Sequence, residues 1–220
     1  MNQLKSYFTR ELLLRVVILL VGLTIAHLGV TLFLLADLGA DPFNVFIQGL
    51  FKKTGAAGGF LTHGRVHIVI CFLIIVILLI VDRSYVKIGT ILCMICGGPI
   101  IDFFTWILSP VVNSNLSLFA RIFVNCLGCV ILAYGMTIVI KSEAGTGPND
   151  LVAIVISDKL KKPFSIIRVL VDIAFAGIGY LLGGVLGIGT LICAFVVGPF
   201  SGIFLPFNEK IIRRILHSAV

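Results

Sequence analysis

Two short polar stretches, each lying between long apolar runs, contain the residue types best suited to bind a solute. The first is residues 38–44, Leu-Gly-Ala-Asp-Pro-Phe-Asn, and the second is residues 144–150, Ala-Gly-Thr-Gly-Pro-Asn-Asp. Proline suits the first turn of a helix, and glycine lets the chain turn sharply ahead of it. The sequence therefore predicts that a helix begins at Pro42 and another at Pro148.

The polar groups at these helix starts could bind either charge. Exposed amides and the positive end of the helix dipole could bind an anion, whereas the carboxylates of Asp41 and Asp150 could cap the helix or bind a cation. Capping alone would also account for them, because irregular backbone in a membrane needs polar partners whatever its function. The two stretches supply six candidates for substrate binding: Asp41, Asn44, Gly145, Gly147, Asn149 and Asp150.

Charged residues within or at the start of apolar runs supply the other candidates, because a charge at the centre of a membrane helix costs at least about 2.5 kcal/mol. Asp172 lies near the middle of its run, and Asp102 lies in the last third of another. Arg168 precedes Asp172 by four residues, so an ion pair on one helix face is the alternative to substrate binding. Arg65 and Arg168 could bind carboxylate or phosphate, or simply anchor a helix at the interface.

Catalytic and metal chemistry are not indicated. Cys93 with Cys96, and Cys126 with Cys129, have CxxC spacing, but they lie in apolar runs, where cysteine behaves as a small apolar side chain. His27 is expected to pack or to hydrogen-bond between helices. Phosphate-binding loops, nucleophile elbows and zinc-protease motifs are absent from the sequence. We therefore expect a protein that is not an enzyme and that uses no metal or cofactor.

The composition indicates that a bilayer surrounds the chain. Of its 220 residues, 59% are apolar and 12% are charged, compared with about 25% charged residues in an ordinary soluble domain. The net charge of +7 does not indicate nucleic-acid binding, because the basic residues do not form a stripe with stacking aromatics. Their positions predict a multi-pass protein of a bacterial inner membrane with both termini cytoplasmic. The basic residues at the chain ends are Lys5, Arg10, Arg15, Lys210, Arg213 and Arg214.

Apolar runs of the length needed to cross about 30 Å of hydrocarbon occur six times, near residues 16–36, 66–81, 88–107, 121–140, 165–183 and 188–206. Two further pieces, 42–51 and 148–160, are too short to cross. We therefore predict an all-α membrane protein with one transmembrane domain over residues 1–220. It would have six transmembrane helices and two short re-entrant helices, although eight spans would result if the short helices crossed.

The chain also contains an internal repeat, with one unit at about 15–107 and the other at about 121–206. After a small insertion in the first unit, Arg65 aligns with Arg168, and residues 88–90 and 98–99 align with 188–190 and 198–199. Three crossings per unit would invert the second unit relative to the first, as in many secondary transporters; four would make the units parallel. The pairs that share one offset are Arg15/Arg121, Gly22/Gly128, Gly29/Gly135, Asp37/Glu143, Gly39/Gly145 and Pro42/Pro148.

Glycine–proline pairs are also predicted to break two of the long helices, at Gly98-Pro99 and at Gly198-Pro199. Small residues permit close helix packing, and proline bends helices. These four residues, together with Pro42 and Pro148, are therefore candidates for packing positions or hinges.

The stretch from Gly145 to Asp150, its weaker partner from Gly39 to Asn44, and the repeated Ile-Gly-Thr and Gly-Pro segments resemble the YczE/YyaS/YitT family of bacterial membrane proteins. The resemblance covers nearly the whole chain. It is closer to the YczE branch, because some YitT relatives carry a soluble C-terminal domain, whereas this sequence stops soon after its last apolar run. The resemblance implies a bacterial cytoplasmic membrane and carries over no catalytic residue.

Two functions are compatible with these features. The first is a transporter or channel for a small polar solute, with the acidic and amide residues of the two helix starts and Asp172 lining its site. The second is an accessory protein that positions or regulates a partner enzyme or assembly, using basic segments such as 159–162 and 210–214. Lipid is the expected surrounding partner, and an oligomer is compatible with the sequence.

Overall fold

The computed structural model describes the backbone of residues 2–54 and 61–218 and the side chains of residues 10–54 and 61–216, so the side chain of Lys5 lies outside the described part. All regular structure in these ranges is helical. A short 3-10 turn, Arg83–Tyr85, lies between the third and fourth helices. The helices are α1 (Asn2–Ala36), α2 (Pro42–Lys53), α3 (His63–Val81), α4 (Ile88–Leu108), α5 (Leu118–Ser142), α6 (Pro148–Leu160), α7 (Phe164–Leu181) and α8 (Ile188–Ser218).

Six of these helices are long and apolar enough to cross a membrane, namely α1, α3, α4, α5, α7 and α8. They coincide with the six predicted runs, although α1 begins well before residue 16 and α8 continues well past residue 206. The other two, α2 and α6, have 12 and 13 residues and begin at Pro42 and Pro148 as predicted. At 1.5 Å per residue they are about 20 Å long or less, too short for a full crossing.

The predicted breaks at the two glycine–proline pairs are wrong. Helix α4 continues through Pro99, and α8 continues through Pro199 and also through Pro206. A proline removes one backbone hydrogen bond, and a long helix can lose one bond while the others hold it together. Gly98, Pro99, Gly198 and Pro199 therefore lie inside continuous helices.

Helices α1 and α5 form a long antiparallel pair that is joined through glycines. A side-chain carbon added at Gly29 would lie 2.5 Å from the carbonyl oxygen of Gly128, and one added at Gly135 would lie 2.6 Å from the carbonyl oxygen of Gly22. As the contact moves forward along α1 it moves backward along α5, so the helices run in opposite directions. Only glycine allows the two backbones to approach this closely.

An arginine closes each end of this pair. Arg15 donates to the carbonyl of Ser142, the last residue of α5, at 3.2 Å. Arg121 donates to the carbonyl of Ala36, the last residue of α1, at 2.7 Å. Each arginine thus satisfies a carbonyl that the end of a helix leaves without a partner. The carboxylates paired with them are Glu11 and Glu143 for Arg15, and Asp37 for Arg121.

The remaining helices complete two groups. Helix α4 packs on α1 and α8 packs on α5, so α1, α4, α5 and α8 form one group, here called the scaffold. Helices α2 and α6 each pack against both α3 and α7, so α2, α3, α6 and α7 form a second group, here called the bundle. Helix α3 also packs on α4, which joins the bundle to the scaffold.

The loops before the two short helices are held by the starts of α4 and α8. The amide of Gly89 donates to the carbonyl of Ala144 at 3.0 Å, and the amide of Gly189 donates to the carbonyl of Leu38 at 2.8 Å. Gly39 and Gly145 have φ values of 111° and 154°, which side-chain-bearing residues rarely adopt. The two loops therefore enter α2 and α6 by similar turns.

Candidate functional site

Arg168 on α7 binds two carboxylates. Its Nη1 donates to Asp150 Oδ1 at 2.6 Å, and its Nε donates to Asp172 Oδ2 at 3.0 Å. The ion pair between Arg168 and Asp172, which the sequence offered as the alternative to substrate binding, is present. Asp150 lies in the first turn of α6, and it also accepts a hydrogen bond from the Asn149 amide at 3.1 Å. The start of α6 is therefore fastened to α7 by charge-assisted hydrogen bonds.

Asp41 caps the start of α2 and lies near Arg168 and Asp172. Its carboxylate accepts hydrogen bonds from the backbone amide of Asn44 at 3.3 Å and from the Asn44 side-chain amide at 2.6 Å. It is also close enough to Arg168 and Asp172 for their charges to act on it. The starts of the two short helices thus converge on one region, here called the charged cluster, which consists of Asp41, Asp150, Arg168 and Asp172.

This arrangement bears on which ion the helix starts could bind. The Asp41 carboxylate already accepts the free amide of α2, so that helix start is not an open anion site. The charged cluster contains three carboxyl groups and one guanidinium group, and two of the carboxyl groups pair with the guanidinium. A negative site inside a membrane protein is stabilised by a cation or by protons.

The two predicted glycine candidates have backbone roles. Gly145 lies against the start of α4, where an added side-chain carbon would lie 2.6 Å from the backbone nitrogen of Thr90. Gly147 is the N-cap residue of α6, and an added side-chain carbon would lie 2.7 Å from Asn149 Oδ1. Both glycines allow α6 to start where it does.

His63, a histidine that the sequence analysis did not consider, lies beside the charged cluster. His63 Nε2 is 3.3 Å from Asn44 Oδ1, which connects it through Asn44 to Asp41. His67 is buried, and its ring contacts the ring of His27 edge to face, with 5.7 Å between centroids. His63 and His67 are four residues apart on α3, so the spacing could have indicated that they share a helix face.

Two other predicted site residues lie elsewhere. Asp102 on α4 accepts hydrogen bonds from the Thr62 hydroxyl at 2.5 Å and from the Gly64 amide at 3.0 Å. It therefore ties α4 to the start of α3, and it belongs to the contact between scaffold and bundle. Arg65 is an exposed residue in the first turn of α3, where its backbone amide donates to Thr62 Oγ1.

All six cysteines are free thiols. The closest sulfur pair joins different helices and does not match either CxxC pair: Cys129 Sγ on α5 lies 2.9 Å from Cys193 Sγ on α8, within an apolar cluster. Over the residues that the structure describes, no group of three or more histidine, cysteine or acidic side chains is arranged to hold a metal ion.

A second group of ionic contacts lies at the other end of α6. Lys159 pairs with Asp82 at 3.2 Å, and the Tyr85 hydroxyl donates to Asp158 at 2.8 Å. The hydroxyl and amide of Ser84, followed by the charge of Lys159, lower the pKa of Asp82 to about 2. Helix α6 therefore extends from the charged cluster to the turn that follows α3.

The chain is similar to two proteins of Bacillus subtilis (strain 168) and one of Haemophilus influenzae. It is 31% identical over 205 residues to "Uncharacterized membrane protein YczE", covering 93% of this chain and 91% of the relative. It is 27% identical to "Uncharacterized protein YyaS", covering 86% and 92%, and 28% identical to an "Uncharacterized protein" of H. influenzae, covering 91% and 85%. No solved structure matches the chain. A family model described as a family of unknown function, DUF6198, matches residues 13–206, and the chain therefore belongs to that family of membrane proteins.

Proposed function

We propose that this membrane protein is a transporter for a small polar solute, which binds at the charged cluster. One observation carries the proposal: two short helices, each led by a proline, begin near the same half-buried arginine, Arg168. Helix starts that meet among membrane-spanning helices are where secondary transporters bind their solutes. Charged groups in this setting are costly and are retained where a function needs them.

An inverted repeat accounts for the symmetry of the contacts. The antiparallel α1 and α5 present equivalent residues to each other, as Arg15 contacts Ser142 while Arg121 contacts Ala36. Arg121 follows Arg15 by the same number of residues as Ser142 follows Ala36, so the two contacts are equivalent under the repeat. The two units would be residues 15–107 and 121–206, with α2 and α6 as re-entrant helices that begin at the charged cluster.

The excess of carboxylates favours a solute that carries a positive charge. Asp41, Asp150 and Asp172 together outnumber the charge of Arg168, so a bound amine would bring the cluster closer to neutrality. The rings of Phe43 and Phe175 contact each other, with 5.3 Å between their centroids. In the sequence, Phe43 lies two residues after Asp41 and Phe175 lies three residues after Asp172. They would provide an apolar surface for the rest of the solute.

Uptake by the purified protein in liposomes tests the proposal, with a broad panel of small amines, amino acids and other polar metabolites. We expect at least one positively charged or zwitterionic solute to enter, and Asp150→Asn to reduce its uptake at least tenfold. Asp82→Asn is the matched control, because Asp82 is an acidic residue outside the cluster. The proposal fails if folded protein moves no solute and Asp150→Asn leaves the host phenotype unchanged.

Cysteine accessibility tests the orientation. We place both termini on the cytoplasmic side of a bacterial inner membrane, supported by the basic residues at the chain ends. With six spans, Lys53→Cys should react from outside and Ser84→Cys from inside. The reverse result would contradict the six-span arrangement and the antiparallel pairing of α1 with α5.

A further inference from the structure

The bundle packs along the scaffold chiefly on the side of α3 and α4, and Val45 of α2 is also buried among scaffold residues. On that side α3 packs against α4, and the contact is so close at Gly64 and Gly98 that a side chain at Gly98 would overlap the carbonyl oxygen of Gly64. Asp102 adds two hydrogen bonds, from the Thr62 hydroxyl and the Gly64 amide. Backbone contact and charge-assisted hydrogen bonds together make this a fully formed interface.

On the other side, the equivalent interface is open. Within the described residues, α7 packs against α2 and α6 but not along α8. Side-chain carbons added at Gly198 or Gly202 on α8 would have no atom within 4 Å, and the same is true at Gly177 on α7. Ala194, Gly198 and Gly202 are four residues apart and exposed, so one face of α8 presents a row of small residues.

The repeat matches this open face with the formed one. Gly198 and Gly202 of α8 correspond to Gly98 and Asp102 of α4 in the alignment. The same alignment pairs α7 with α3, so that Ser165 corresponds to Thr62. The two halves thus contain equivalent helix pairs, α3 with α4 and α7 with α8. Within the described residues, α3 packs along α4, whereas α7 does not pack along α8.

Further along its length, α8 is firmly attached to α5. Asn208 is buried and donates to the Thr137 hydroxyl at 2.7 Å, and Lys141 pairs with Glu209 at 2.5 Å. Helix α8 therefore belongs with the scaffold, while α7 carries Arg168 and belongs with the bundle. The gap between them is a gap between the two groups of helices.

We propose that the bundle rocks between two positions, and that in the second position α7 packs on the Gly198–Gly202 face of α8 while α3 separates from α4. The inference rests on the proposed transport function, for which it supplies the two gates. Thr62, Gly64 and Asp102 latch the gate that is closed in this structure. If the termini are cytoplasmic, the closed gate faces outward and the open gate faces the cytoplasm.

Disulfide cross-linking tests the motion. Ser165→Cys with Gly202→Cys places thiols at the positions equivalent to Thr62 and Asp102, and neither change fills occupied space in this structure. In membranes treated with copper phenanthroline, we expect a cross-link within one chain, because the second position brings the pair together. Each single variant is a control for reaction with the native cysteines.

The latch gives the experiment a second arm. Asp102→Ala removes two hydrogen bonds to a charged acceptor, so we expect cross-linking of the Ser165–Gly202 pair to become about tenfold faster. Asp102→Asn keeps an acceptor oxygen and should have a smaller effect. If Asp102→Ala does not fold, two measurements still test the rocking motion. They are the cross-linking of Ser165→Cys with Gly202→Cys in the otherwise unchanged chain and the same cross-linking in the Asp102→Asn variant.

The outcomes separate this inference from the proposed function. A cross-link that never forms within one chain overturns the rocking motion, even if solute uptake is observed. A cross-linked species of twice the mass also overturns it, because the α8 face would then bind a second copy. Cross-linking within one chain that responds to Asp102→Ala supports the motion, and a simultaneous failure of solute uptake would contradict only the transport function.

Discussion

The α1–α5 pair and the charged cluster show two ways of joining helices inside a membrane. In the pair, glycines bring the backbones into contact, and the arginines lie only at the ends, where Arg15 and Arg121 meet the last carbonyls. In the cluster, Arg168 pairs with two carboxylates from within its span, and about a third of its side chain, 31%, remains exposed. The first arrangement places little charge in the membrane, whereas the second brings several ionisable groups together there.

The difference indicates which region serves stability and which serves function. Close glycine contacts gain packing without polar groups and leave little room for change. The charged cluster contributes less to the stability of the fold. Its ion pairs are partly removed from water, and the attraction between the paired charges recovers little of the free energy that their desolvation costs. We therefore expect substitutions in the pair to affect folding most and substitutions in the cluster to affect solute binding most.

The largest effect on folding is expected for Gly29→Leu. The new side chain would meet the carbonyl oxygen of Gly128, which is backbone and cannot move aside. Overpacking usually costs about 1–3 kcal/mol when side chains can adjust, and here we expect a greater loss. Size-exclusion profiles in mild detergent should show little monodisperse protein. Gly177→Leu is the control, since Gly177 has open space, and equal yields for the two variants would contradict the prediction.

Next in size is Arg168→Ala, which leaves Asp150 and Asp172 without their cation. Removing one partner of a fully buried ion pair costs about 3–5 kcal/mol, and we expect a smaller loss here because of the exposure of Arg168. Thermal unfolding in detergent measures this loss of stability. Adding Asp150→Asn and Asp172→Asn should restore most of the stability but not solute uptake. A triple variant that remains as unstable as Arg168→Ala would show that the arginine packs rather than balances charge.

A moderate effect is expected at the ends of the pair, where Arg15→Gln and Arg121→Gln each remove contacts to a terminal carbonyl. We expect a loss of about 1–2 kcal/mol for each. Arg15 also pairs with Glu143 at 2.7 Å, whereas Arg121 is 3.9 Å from Asp37. Raising the salt concentration should therefore reduce the effect of Arg15→Gln more than that of Arg121→Gln. An equal response to salt in unfolding measurements would contradict this assignment.

The smallest effect is expected at Asp82, far from both regions. Its pKa is lowered to about 2 from an ordinary value of 3.8, so the folded state favours the ionised carboxylate. Its contribution is present above pH 4 and is lost as the pH falls towards 2. Asp82→Ala should lower the unfolding temperature slightly at pH 7, and the difference should disappear near pH 2. A difference that is unchanged at low pH would assign the effect to something other than the charge.

Local patterns predicted the helices better than they predicted the contacts. Hydropathy and run length are properties of neighbouring residues, so the six long helices and the starts at Pro42 and Pro148 could be derived from them. The Arg168–Asp172 pair follows from helical spacing alone. The Arg168–Asp150 contact does not, because the two residues lie on different helices and meet only through packing. The contact of Asp102 with Thr62 could not be predicted for the same reason.

The hydrogen bond between Leu38 and Gly189 has a consequence for the order in which the protein is completed during synthesis. Leu38 precedes the second helix, and Gly189 lies in the first turn of the last one, so the ribosome has made most of the chain before this bond can form. The matching bond between Gly89 and Ala144 needs only the chain up to Ala144. The turn into α6 can therefore mature while the chain is still growing, whereas the turn into α2 stays unfinished until the last helix has entered the membrane.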